Sequence, residues 1–106
     1  PTLVREVRDG SVQTWTIDPA IAGYDGIVPE DLHGGEPAEN AALIEQVLRG
    51  GGPPAARAAV VLNAAAAIYV ADLAPSFERA VEDARSALER GAGAHALDAL
   101  RAAFAH

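Results

Sequence analysis

Glu30, Asp31 and His33 crowd two carboxylates and an imidazole into four consecutive positions, the kind of spacing at which a loop can close around a cation. A metal centre needs a second strong ligand at matching spacing, and no further histidine stands nearby, so the stretch reads as a solvated loop. Gly50-Gly51-Gly52 is the glycine-rich candidate. A phosphate cradle continues into Gly-Lys-Ser/Thr and presents backbone N–H groups to the anion. Here Pro53 and Pro54 follow, neither carrying an N–H, and the triplet reads as a helix break. Gly34-Gly35 reads as a turn that brings the chain closely into a helix. His95 and His106 fall near the C-terminus as exposed residues. There is no cysteine, no Ser/His/Asp arrangement and no Gly-x-Gly-x-x-Gly. The catalytic, cofactor-binding and metal-ligating sets expected within these residues are all empty.

Two asparagines carry more information. Asn40 and Asn63 sit within otherwise apolar helical patterns, and an amide buried without hydrogen bonds costs about 1 to 3 kcal/mol. Each is therefore expected to be buried and tied to specific partners, which makes the pair a structural signature. Trp15 and Tyr69 read as half-buried packing residues.

The elements that position these residues follow from periodicity. Residues 3–8 and 11–17 alternate apolar and polar, with Val4, Val12, Trp15 and Ile17 strand-like, and Asp9-Gly10 between them fits the tight turn of a β-hairpin. Residues 18–35 form a connector in which Pro19, Gly23, Gly26 and Pro29 prevent long regular structure. Pro37 suits the first turn of a helix with Asn40, Leu43, Ile44, Val47 and Leu48 on one face. Pro53 and Pro54 open a second helix through Asp72 that is nearly all apolar and reads as the buried core helix. Ser76 caps a third, with Phe77, Val81, Ala84 and Leu88 inward and Arg79, Asp83, Arg85 and Glu89 on the wet side. Gly91 and Gly93 break it, and a last helix over residues 94–105 presents Leu97, Leu100 and Phe104. The fold class is α+β, an N-terminal β-hairpin followed by about four helices, partitioned as 1–17, 18–35 and 36–106.

Gly34, Gly35, Glu36, Pro37, Glu39, Asn40 and Ala41, followed in order by Leu62, Asn63, Ala64, Ala65, Ala67, Ile68 and Tyr69, resemble the GG-acid-P-x-ENA element and LNAA-x-A-L/I-Y helix of the anthranilate phosphoribosyltransferase family. The resemblance extends over nearly the whole chain and implies the C-terminal part of that family's α/β domain, with the hairpin belonging to a larger sheet. It implies transfer of phosphoribosyl from phosphoribosyl diphosphate to anthranilate in tryptophan biosynthesis, with Mg2+ neutralising the diphosphate. It also implies that the GTGGD-type loop, the Lys-His-Gly-Asn segment, the arginine region and the Asp-Glu metal pair lie upstream. None of these motifs occurs here, so no site residue is carried over, Glu30-Asp31 stands on the wrong side of the hairpin to be the metal pair, and the piece alone is expected to be inactive. A nucleoside phosphorylase-like pentosyl-transfer relative and a non-catalytic helical interaction domain are the alternatives.

Composition bounds the remaining possibilities. Fifteen acidic against eight basic residues give a net charge of −7, the wrong sign for a nucleic-acid footprint. The longest nearly apolar run, residues 58–71, is interrupted by Asn63 and too short for a bilayer, and cysteine-free composition is compatible with the cytoplasm. The chain has no methionine, even at position 1, which suggests a piece of a longer polypeptide. The expected partners are accordingly the missing N-terminal part of the same polypeptide and, in isolation, other copies of the chain, joined through an open strand edge and uncovered apolar faces.

Overall fold

The computed structural model describes residues 1–20, 23–24 and 34–105; the expectations at Gly26, Pro29, Glu30, Asp31, His33 and His106 lie outside the described residues. Strands β1 (Thr2–Arg8) and β2 (Ser11–Ile17) pair antiparallel, with Val4 opposite Trp15, Glu6 opposite Gln13 and Val7 opposite Val12. Asp9 and Gly10 adopt φ of 51° and 79°, the paired positive angles of a type I′ turn whose twist matches that of the strands. The period of two gives the hairpin two unlike faces. Val4, Glu6, Trp15 and Ile17 turn toward the helices and are half-buried, while Leu3, Val7 and Val12 on the opposite face are exposed.

Four helices follow: α1 (Pro37–Leu48), α2 (Pro54–Val70), α3 (Phe77–Glu89) and α4 (Ala92–Phe104). The molecule is thus an α+β hairpin-and-helix arrangement, as the sequence pattern predicts. Prolines open α1 and α2, where an N–H has no intrahelical partner to lose. Ser76 caps α3, its hydroxyl accepting the Arg79 N–H at 3.1 Å. Helix α1 closes in a Schellman motif: the Gly50 N–H donates to the Val47 carbonyl and the Gly51 N–H to that of Gln46. The same pattern closes α2, from Asp72 to Tyr69 and from Leu73 to Ile68, but with an aspartate at φ 58° in the left-handed position that glycine usually takes. Helix α2 therefore stops at Val70 instead of running through Asp72.

The core is built on α2 and α3 with Val47 of α1 closing one end. Val47, Val61, Ala65, Ala74, Ala80, Val81, Ala84 and Leu88 form its buried cluster, in which the largest fully buried side chains are only valines. Ala65 on α2 and Ala80 and Ala84 on α3 let the two helix backbones approach closely, which suits a chain too short to bury bulky side chains in several layers.

Three expectations are corrected. Helix α2 is not buried all round: Ala55, Ala58, Val61 and Ala65 face inward at helical spacing, whereas Asn63, Ala64, Ala67 and Val70 face solvent. Asn63 is consequently exposed, and its Nδ2 donates to the Ala59 carbonyl one turn back, at 2.8 Å. Gly93 does not break a helix. It lies inside α4, where its missing side chain makes room for Leu48, since a Cβ there would stand 2.8 Å from Leu48 Cδ2. On α4, Leu97 is half-buried while Leu100 and Phe104 are exposed, as is Ile44 on α1, so both helices carry apolar side chains with no cover among the described residues.

Candidate functional site

Asn40 and the glycines before it form one local constellation. The Asn40 carboxamide accepts the Gly35 N–H through Oδ1 and donates from Nδ2 to the Gly35 carbonyl, both at 2.9 Å, so one side chain fixes both ends of Gly35. Asn40 thus has the specific backbone partner that its sequence context predicts, although it is half-exposed and not buried. A Cβ on Gly34 would meet Asn40 Oδ1 at 3.4 Å, an ordinary contact distance, so Asn40 does not itself demand a glycine there. Gly50–Gly52 terminate α1, and Gly52, at φ 82°, leans on Val47. His95 is exposed on the first turn of α4.

The densest polar cluster lies where the hairpin meets the helices, and it centres on a residue that sequence reasoning does not single out. Glu6 Oε1 accepts from Trp15 Nε1 at 3.0 Å and from the Tyr69 hydroxyl at 2.8 Å, while Oε2 accepts from Arg8 Nε at 2.8 Å. Arg8 also reaches Asp72 Oδ1 at 3.2 Å and lies over the Tyr69 ring, 5.7 Å from its centroid. Beneath this network Trp15, Tyr69 and Phe77 pack edge to face or tilted, with centroids 5.4 to 6.2 Å apart. The positions follow from the elements. Glu6 shares the inward strand face with Val4 and Trp15, Tyr69 projects from the last turn of α2, and the left-handed Asp72 turns the chain so that Phe77 can open α3 alongside. A charge at an inward position of an alternating strand was the available signal for Glu6.

Electrostatics assign this cluster a holding role. The Arg8 guanidinium first, and the Tyr69 hydroxyl second, keep the Glu6 carboxyl below its ordinary value of 4.5, and Arg8 is raised in return. The Tyr69 phenol is raised above 10.0, chiefly because it donates to Glu6. A carboxylate with both oxygens engaged and a lowered pKa is a poor proton acceptor near neutrality, and a phenol pushed upward is a poor donor. A second cluster ties α1 to α4: Glu45 accepts from Arg101 at 2.9 Å and Arg49 at 3.2 Å, and Arg49 reaches Asp98 at 3.3 Å. Arg101, then Arg49, lower the Glu45 pKa, and these exposed pairs contribute little to stability.

Among the described residues no three His, Asp or Glu side chains gather as a metal site, and Glu6, Glu45, Asp72 and Asp98 are each paired with arginine. These residues do not fit a Mg2+ site. No helix among the described residues is long and apolar enough to cross a membrane.

Comparison with known proteins places this architecture. The model of the glycosyl transferase family, a/b domain, matches residues 1–94. An anthranilate phosphoribosyltransferase of Rubrobacter xylanophilus is 45% identical over 98 residues, 92% of this chain and 29% of its own length. Those of Haloarcula marismortui and Haloferax volcanii are 42% and 41% identical, over 93% and 96% of this chain and 30% and 31% of theirs. The chain therefore spans about three tenths of the length of the curated relatives it matches. With the match running from the hairpin into α4, the chain belongs to the glycosyl transferase family a/b domain.

Proposed function

We propose that this chain is the C-terminal structural segment of a cytoplasmic anthranilate phosphoribosyltransferase of tryptophan biosynthesis, and that it is inactive alone. The observation that carries the reading is the 38 to 45% identity to proteins of that name over most of this chain and a minor part of theirs. In the reaction, the anthranilate amine attacks the anomeric carbon of phosphoribosyl diphosphate and diphosphate leaves, its charge neutralised by Mg2+. Such catalysis rests on positioning and charge stabilisation. In this reading the metal-binding acids and diphosphate loop belong to the rest of the polypeptide and this segment supplies walls, which is supported by the pairing of Glu6, Glu45, Asp72 and Asp98 with arginine.

The surface supports a segment made to be covered. The chain exposes 7344 Å2 at 10.9 kDa, against about 5,600 Å2 for a compact monomer of that mass. Its radius of gyration is 15.3 Å, against about 13 Å. The excess of roughly 1,700 Å2 on this one chain is about twice the roughly 800 Å2 that each partner buries in a standard protein interface. The outer hairpin face of Leu3, Val7 and Val12 and the open strand edges are where the missing N-terminal part of the polypeptide packs. In isolation the same surfaces drive self-association. Calorimetric titration of the 106-residue chain with phosphoribosyl diphosphate and Mg2+ tests the division of labour: no saturable heat at micromolar ligand is expected. A saturable, Mg2+-dependent heat would place the ligand site within this chain and refute it.

A further inference from the structure

The hairpin contributes no side chain to the buried core cluster, which is drawn wholly from α1, α2, α3 and the Ala74 turn. Among the described residues, the elements in extensive contact are strand with strand or helix with helix. What joins the two parts is the network on Glu6, with Trp15 packed beneath it on Tyr69 and Phe77 and Arg8 reaching on to Asp72. A cavity of about 280 Å3 lined by Trp15, Ile17, Phe77 and Val81 lies on one side of it, and an open groove of about 730 Å3 lined by Arg8, Gln13, Leu73 and Pro75 on the other. Among the described residues the hairpin thus meets the helices in one compact patch, centred on Glu6 and Trp15, with a hollow on either side.

We propose that the β-hairpin is a separately releasable arm latched to the helices by Glu6, and that the helical part stays folded when the arm is released. Glu6 is suited to the role because its two oxygens take donors from both parts at once: Arg8 from β1, Trp15 from β2 and Tyr69 from α2, with Asp72 orienting Arg8 from beyond α2. Losing Glu6 leaves Arg8, Trp15 and Tyr69 without their common acceptor. Among the described residues the buried members of the helical core include no polar or charged side chain, and the link from Glu6 to that core runs through Tyr69, which packs against it.

The latch is also sensitive to pH. Since the folded-state pKa of Glu6 is depressed, its contribution is present above 4.5 and is lost as pH falls through the lower folded value. Since that of Tyr69 is raised, its contribution is present below 10.0 and is lost as pH rises through the higher folded value. Between these limits the arm is closed. A released two-stranded hairpin is marginal in water, so release exposes its backbone amides.

Amide hydrogen exchange on the 106-residue chain and its Glu6→Ala variant at neutral pH is the test, with emission from Trp15, the only tryptophan, as the second readout. The expected result is exchange at least about tenfold faster across residues 2–17, less than about twofold change at Val61, Ala65 and Ala84, and a red shift of Trp15 emission. Glu6→Gln, which keeps an acceptor for Trp15 and Tyr69 but not the charge facing Arg8, is expected to fall between. Equal acceleration in hairpin and helices would mean one cooperative unit, and an unchanged hairpin would mean that Glu6 is no latch. Either outcome overturns the proposal.

Discussion

Gly52→Ala probes a tight point of the fold. Gly52 sits at φ 82°, and a Cβ built there stands 2.8 Å from Cγ2 of Val47, a side chain only 1% exposed. The left-handed angle costs an alanine about 1 to 2 kcal/mol. Displacing a buried, β-branched neighbour adds about 1 to 3 kcal/mol, because a stiff side chain in a close-packed site has no empty rotamer to take. The expected total is about 3 kcal/mol, a large share of the roughly 5 to 15 kcal/mol that holds a domain of this size together. With a urea slope of about 1.5 kcal/mol/M, the midpoint followed by far-ultraviolet circular dichroism falls by about 2 M. Gly50→Ala is the control. Its φ is 90°, but nothing lies within 4 Å of the added Cβ, so only the backbone cost of about 1 to 2 kcal/mol applies. Truncating the neighbour as well, in Val47→Ala/Gly52→Ala, relieves the clash and makes the pair less than additive. Equal midpoints for the two glycine variants, or strict additivity of the double variant, would show that the contact with Val47 carries no energy.

Three further outcomes follow from particular residues. Asn63→Leu changes stability by no more than about 0.5 kcal/mol in urea unfolding, since the exposed amide bonds to its own helix; a loss of about 2 kcal/mol would restore the buried reading. Ser76→Ala lowers the midpoint by about 1 kcal/mol through loss of the bond to Arg79, and an unchanged midpoint would remove the cap from the account. Light scattering across a dilution series finds the monomer in the minority at high micromolar concentration, driven by Leu3, Val7, Val12, Leu100 and Phe104; a sharp monomer mass would show that these faces do not seek partners.

What could be read from the sequence was local. Asp9-Gly10 between alternating strands, Pro37 and Pro54 in first turns, and Ser76 ahead of Phe77 each act within a few residues, and each takes its expected place. The tie between Asn40 and the glycines before it is equally short-ranged. The faces of α2 were not legible, because a helix made mostly of alanine, valine and leucine shows nearly the same hydropathy on all sides. Only the placement of α3 decides that Val61 is inside and Asn63 outside. The Glu6 network was hidden for a similar reason: its donors lie 2, 9 and 63 positions away, and only the packed structure brings Tyr69 beside β1. An αL aspartate in place of the usual glycine after α2 likewise acquires a purpose only once Arg8 stands opposite it.

The division of the proposed enzyme into a reacting part and this structural part is open to one direct measurement. The conversion of anthranilate with phosphoribosyl diphosphate and Mg2+ is to be followed for this chain alone, for the remaining polypeptide alone, and for the two together. Turnover only when both are present is the predicted result. Turnover by the 106-residue chain alone would contradict the account, and so would full turnover by the remainder without it.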